Sequence, residues 1–148
     1  MFRGVFVHVL DEKGRTSLPK DWRAELTGPE PPWLTADQYC LAIYPAEKFE
    51  ASQRRLAAVA QTNEAGERLL HHTSRYAIRC PFDRQGRILI PAPHREYAHL
   101  DREITLTGRE NHIQIWNPAR LAEEEEFVQE NWRQLKRDSE AALKETKK

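Results

Sequence analysis

The 148-residue chain is poor in cysteine and glycine, carries no net formal charge, and contains no long apolar run. Each shortage excludes something. Cys40 and Cys80 form neither the close pair of a zinc site nor a disulfide framework, and such usage fits a reducing, cytoplasmic compartment. No stretch approaches the roughly 20 apolar residues of a membrane-spanning helix. The opening Met-Phe-Arg-Gly-Val-Phe-Val-His lacks the apolar core and small-residue cleavage site of a signal peptide, and is expected to be the first strand of the fold. No serine or cysteine stands in a nucleophile-elbow context, and no Gly-rich phosphate loop is present, so no enzyme activity, metal or cofactor is expected. His71 and His72 would point about 100° apart on a helix, a poor ligand pair.

The balance of 23 basic and 23 acidic residues argues against a uniformly basic surface. Any nucleic-acid face must therefore be built locally. Residues 73–118 are the most basic segment, with seven basic and five acidic side chains, whereas Glu123–Glu126 is an acidic run.

What the chain does have is a repeat. Asp11-Glu12-Lys13-Gly14-Arg15 returns as Asp83-Arg84-Gln85-Gly86-Arg87, an offset of 83 − 11 = 72. The same offset pairs Arg3 with Arg75, Phe6 with Ile78, Leu10 with Phe82, Leu18 with Ile90, Pro19 with Pro91 and Arg23 with Arg95. It also aligns Leu41–Tyr44 with Ile113–Trp116, and it places His8 on Cys80 and Cys40 on His112. Three segments are expected: a first unit with its helix over 1–72, a second unit over 73–118, and an amphipathic helix over 119–148 with a frayed end at Lys147-Lys148.

Each unit reads as a small β structure followed by a helix, giving a mainly β fold with α-helices. Val5, Val7 and Val9 alternate with Phe6, His8 and Leu10, the pattern of a strand with one buried face. Asp then opens a tight hairpin turn, and Gly three residues later tolerates the positive φ of a type I turn with a bulge. Outgoing strands are expected over 15–18 and 87–90, short helices over 20–26 and 93–100, and closing strands over 33–35, 39–44, 103–107 and 112–116. Pro45 starts a helical stripe through Phe49, Leu56, Val59 and Ala60 towards Leu69 and Leu70. Asn117 and Pro118 start a second, with Leu121, Val128, Trp132, Leu135 and Leu143 on one face.

Turn geometry accounts for Asp11, Gly14, Asp83 and Gly86, but nothing in a hairpin requires an arginine directly after the glycine. Arg15 and Arg87 could be strand-end arginines paired with the aspartate of their own turns. Their recurrence in both copies points instead to a binding surface. Lys13 and Arg84 add positive charge, Gln85 can hydrogen-bond a base or phosphate, and the arginine fork suits guanine or phosphate. Each aspartate would brace its turn and aim the arginine. Arg3 and Arg75 are expected to be simply solvated.

Met1–Gly4, Leu10–Arg15, Leu18-Pro19, Asp83–Pro91 and Arg95–Ala98 together resemble the MraZ family of the SpoVT-AbrB group. The likeness spans residue 1 to about 118, with both motifs in order. It implies two tandem SpoVT-AbrB-like units with swapped hairpins in a double-split β-barrel, and a ring-shaped homo-oligomer on double-stranded DNA. It further implies transcriptional regulation of the division and cell-wall gene cluster through short promoter repeats. The implied DNA-binding surface is the Asp11/Arg15 and Asp83/Arg87 motifs, in a nucleoid-associated protein. Gln114, His94 and the proline-rich stretch 28–32 depart from the family pattern away from the turns. An antitoxin-like or scaffold oligomer without promoter-specific binding is the alternative.

Overall fold

The computed structural model describes residues 1–146, so the frayed end expected at Lys147-Lys148 lies outside the described residues. Two compact units are present, Met1–Asn117 and Pro118–Lys148. In the first, β1 (Val5–Val9), β2 (Arg15–Ser17), α1 (Lys20–Leu26), β3 (Trp33–Ala36) and β4 (Leu41–Tyr44) form the first β repeat. Helices α2 (Ala46–Ala60) and α3 (Glu64–Tyr76) follow, and β5 (Ile78–Arg79), β6 (Arg87–Leu89), α4 (Ala92–Tyr97), β7 (Glu103–Gly108) and β8 (Ile113–Trp116) repeat the pattern. The architecture is an antiparallel sheet structure with helices after each β repeat.

The two copies exchange strands. The large sheet runs β1-β7-β8-β4-β3-β5, and exchanging positions 72 residues apart maps this order onto itself reversed. A local two-fold passes between β4 and β8, where Leu41 faces Ile115, Ala42 faces Gln114 and Ile43 faces Ile113. A second sheet holds only β2 and β6, related in the same way about the Thr16–Ile88 pair. Thus β1 pairs with β7 of the other copy, and β5 with β3. The simple hairpin expected from the sequence is therefore corrected: β1 and β2 join through a turn but lie in different sheets. Asp-Gly chemistry closes the turn locally, while the ladder partners come from the opposite copy.

Side chains matched by the repeat meet in the core. Leu18 and Ile90, Leu34 and Leu106, Leu41 and Ile113, and Ile43 and Ile115 are all buried. Burying each is worth about 1.5–3 kcal/mol, and the swap gives both copies one shared core. Trp22 and its counterpart His94 occupy equivalent buried sites; the His94 ring meets the Tyr76 carbonyl at 2.7 Å from Nε2. Buried Gln114 donates to Asp37 Oδ2 at 2.9 Å and accepts from Trp116 Nε1 at 3.1 Å. Gln114 is thus satisfied inside the core, whereas His94 bonds through Nε2 and its buried Nδ1 has no partner among the described residues. Burial pushes the Asp37 carboxyl up, but the adjoining His112 ring, Gln114 amide and Gln38 N–H outweigh it and hold the pKa at about 2.

Several local expectations change. The valine face of β1 is exposed at 65%, 62% and 53% for Val5, Val7 and Val9, and Phe6 opposite is 40% exposed, so the strand does not bury one clean face within the chain. The helical stripe after Pro45 is two helices, because Asn63 caps α3 by accepting from the Gly66 N–H at 2.9 Å. Helix α4 stops at Tyr97 rather than 100, since His99 adopts φ +53 and reverses the chain.

In the second unit, α5 (Pro118–Glu130) and α6 (Trp132–Thr146) flank Asn131. Helical hydrogen bonds run through that residue, from Asn131 N to Phe127 O and from Leu135 N to Asn131 O. Phe127, Trp132, Leu135 and Leu143 are exposed.

Candidate nucleic-acid interface

Both repeated turns are built alike. The Gly14 N–H donates to the Asp11 carbonyl at 3.0 Å and the Gly86 N–H to the Asp83 carbonyl at 3.0 Å, closing four-residue turns. The glycines have φ +89 and +76, the region an L side chain avoids. Asp11 Oδ1 accepts from the backbone N–H groups of Lys13 (3.0 Å) and Arg15 (2.8 Å), while Oδ2 accepts from Arg15 Nε at 2.7 Å. Asp83 repeats this with Gln85 N (2.9 Å), Arg87 N (2.9 Å) and Arg87 Nε (3.1 Å). Each aspartate therefore holds the turn with one oxygen and the arginine with the other. The N–H of Arg15 beside Asp11, and that of Arg87 beside Asp83, keep both carboxyls below the usual carboxylate range.

Strand exchange decides where these turns sit. Pairing of β2 with β6 sets Arg15 opposite Leu89 and Arg87 opposite Ser17. The Gly14 carbonyl accepts from Ile90 N at 2.8 Å, tying the first turn to the second copy. Arg87 Nη1 lies 3.7 Å from Asp11 Oδ2, so Asp11 faces both motif arginines. Sequence-matched residues 72 positions apart are thus brought into one cluster. Lys13, Arg84 and Gln85 are exposed around it, while Gly14 is buried and Gly86 half-buried. Arg15 and Arg87 are half-buried, with side-chain exposures of 34% and 30%.

The other arginines of the repeat separate into two kinds. Arg3 and Arg75 are exposed, and Arg3 Nε lies 3.3 Å from Glu110 Oε1. Arg23 and Arg95, which the sequence paired without a role, are half-buried beside the turns. The signal that could have found them was the offset itself, since they recur with the same register as the motif arginines.

Cys40 and Cys80 are free and buried. Among the described residues no group of three or more histidine, cysteine or acidic side chains could hold a metal ion. No helix among them is long and apolar enough to cross a membrane.

Two exchanged β repeats, each presenting one Asp-x-x-Gly-Arg turn to a common cluster, define the class of fold and site. A family model described as "MraZ protein, putative antitoxin-like" matches residues 1–72 and again 75–147. The chain belongs to the MraZ family. A protein of Limosilactobacillus fermentum is 33% identical over 135 residues, covering 91% of this chain and 94% of its own length. A Corynebacterium diphtheriae protein is 38% identical over 82% of this chain and 85% of its own length, and a Methylococcus capsulatus protein 37% identical over 79% of each. All three are named "Transcriptional regulator MraZ", a regulator's name rather than an enzyme's.

Proposed function

We propose that the chain is a sequence-specific DNA-binding transcriptional regulator that reads double-stranded promoter DNA through its paired turns. The observation that carries this is the convergence of Asp11, Arg15, Asp83 and Arg87, with Arg87 Nη1 3.7 Å from Asp11 Oδ2. A hairpin end with only a structural task has no reason to assemble two arginine forks from opposite copies. Fixed guanidinium forks suit bidentate recognition of guanine O6/N7 or phosphate. Lys13, Arg84 and Gln85 flank them, and Gly14 and Gly86 let the turn backbones adopt their shape. The regulator names of its relatives support the same reading.

The finer assignments belong to this proposal. The targets are short promoter repeats of the division and cell-wall gene cluster, spaced near one helical turn of about 10 base pairs. The units 1–72 and 73–118 form a double-split β-barrel, followed by the helices α5 and α6, and several chains close into a ring. Exposed Val5, Val7 and Val9 on an edge strand, and exposed Trp132 and Leu143, favour such assembly. A ring raises the effective concentration of each following turn, which compensates for a chain of zero net charge. The protein acts in the cytoplasm on the nucleoid, without a cofactor and without catalysis.

The test is a gel shift on duplex DNA from upstream of the chain's own gene, comparing wild type with Arg15→Ala, Arg87→Ala and the double variant. Each single variant is expected to lose about 1–3 kcal/mol if it contacts a base edge. Unchanged binding by the double variant refutes the surface. A stable monomer in size-exclusion chromatography with light scattering refutes the ring. The second reading, an antitoxin-like or scaffold oligomer, is favoured by the zero net charge and by the family description. A stable oligomer that fails to distinguish promoter DNA from a random duplex would establish it.

A further inference from the structure

Arg23 and Arg95 are related by the same offset as the motif arginines, yet nothing above gives them work. Arg95 stands on α4, in the second copy, but its guanidinium lies against Gly14 of the first. A methyl group placed on Gly14 would sit 2.8 Å from Arg95 Nε and 3.0 Å from its Cζ. Arg23 stands on α1, in the first copy, and lies against Gly86 of the second. A methyl group there would collide with Arg23 Nη1 and sit 3.2 Å from Cζ. The contact is reciprocal: each copy's helix arginine covers the glycine of the other copy's turn.

Two further observations support the role, the first of them made for Arg95. Arg95 Nε donates to the Ile90 carbonyl at 3.0 Å, and Ile90 N in turn donates to the Gly14 carbonyl at 2.8 Å. The guanidinium is thereby pinned to the residue that holds the turn. Among the described residues, neither Arg23 nor Arg95 has a carboxylate within ion-pair distance, whereas Arg15 and Arg87 are each paired to the aspartate of their turn. Half-buried guanidinium groups without an anion are retained at a cost in desolvation, and here they lie where glycine leaves room.

We propose that Arg23 and Arg95 are positioning residues of the DNA surface that act in exchange: Arg95 sets the turn carrying Arg15, and Arg23 sets the turn carrying Arg87. The glycine requirement of each turn follows in part from the arginine lying on it. Because each brace comes from the opposite copy, the two turns are locked in relative spacing as well as in shape. This rests on the proposed DNA surface and adds what holds its two halves in register.

The test pairs hydrogen exchange with double-mutant cycles on the full-length protein. Arg95→Gln is expected to speed exchange of the Gly14 N–H and leave that of Gly86 unchanged, and Arg23→Gln the reverse. This readout needs no DNA. On the duplex from upstream of the gene, with a random duplex of equal length as control, each variant is expected to lose about tenfold in affinity, within the coupling range of residues in contact. Arg95→Gln should be non-additive with Arg15→Ala and more nearly additive with Arg87→Ala; Arg23→Gln should show the opposite preference. The salt dependence should keep its slope. Arg95→Lys, which keeps the charge and loses the planar fork, should share the defect.

Equal exchange at both glycines overturns the proposal, as does rescue by lysine. A fall of about one in the salt slope for each arginine removed, equal on both duplexes, overturns it in favour of direct phosphate contact. Should Arg15→Ala with Arg87→Ala bind like wild type while the exchange pattern holds, the DNA surface fails and the exchanged bracing stands. If the variants unfold, as judged by circular dichroism, the lysine forms carry the same exchange measurement.

Discussion

Asp11 Oδ2 is shared between two arginines from opposite copies, 2.7 Å from Arg15 Nε and 3.7 Å from Arg87 Nη1. Among the described residues, Asp83 holds only its own arginine, through Arg87 Nε at 3.1 Å. Two motifs identical in sequence pattern are therefore unequal in what they hold.

That inequality makes the aspartates distinguishable. Asp11→Asn is expected to weaken DNA binding more than Asp83→Asn, because it loosens both forks where the other loosens one. Titration of each variant against the same labelled duplex, by fluorescence anisotropy, checks the order. Equal losses would show that the 3.7 Å approach does not matter.

The turn glycines are also unequal. Either alanine variant meets the penalty of a positive φ, about 1–2 kcal/mol. A methyl group on Gly14 would in addition lie 2.6 Å from the backbone carbonyl of Ile90, whereas on Gly86 its nearest neighbours are side-chain atoms of Arg23 rather than backbone. Gly14→Ala should therefore lower the urea midpoint more than Gly86→Ala, at unchanged m-value.

Acid sensitivity should centre on Asp37. Its folded pKa of about 2 lies below the ordinary value of 3.8, so its contribution to stability is fully present above that value. The contribution is lost as pH falls towards 2, where the carboxyl that accepts from Gln114 takes up a proton. Denaturation curves between pH 5 and roughly pH 2 should show Asp37→Asn less stable than wild type at the upper end. The gap should close at the lower end, and a constant gap would contradict this origin.

The cysteines should be silent until the fold opens. Cys40 and Cys80 are 0% and 2% exposed, and burial raises both thiol pKa values, that of Cys80 to about 12. A chromogenic thiol reagent near neutral pH should label neither in native protein and both in denaturant. Rapid native labelling would mean that the shared core opens readily.

Much of this protein was legible in its residues because the duplication is ungapped. Helix α1 lies where Pro19 and the following residues placed it, Lys20–Leu26, and the strand starts at Arg15 and Arg87 follow directly from the Asp-Gly turns. The break at Asn63 was harder to see, because an apolar stripe continues across it while the capping bond depends on one side chain reaching Gly66. The exposure of Val5, Val7 and Val9 was not visible at all. Alternation tells that a strand has two faces, but which of them is covered depends on partners elsewhere.

The sequence by itself determined the repeat, the two turns and their arginines, since turn chemistry acts over five residues and a register of 72 can be counted. Only the tertiary structure decided that β1 pairs with β7 rather than β2, that Asp11 faces Arg87, and that Arg95 covers Gly14. Local propensity is the same whether a strand pairs with its own copy or with the other. The choice belongs to the shared core, where burying Ile88, Ile90 and their counterparts around one two-fold stabilises both copies together.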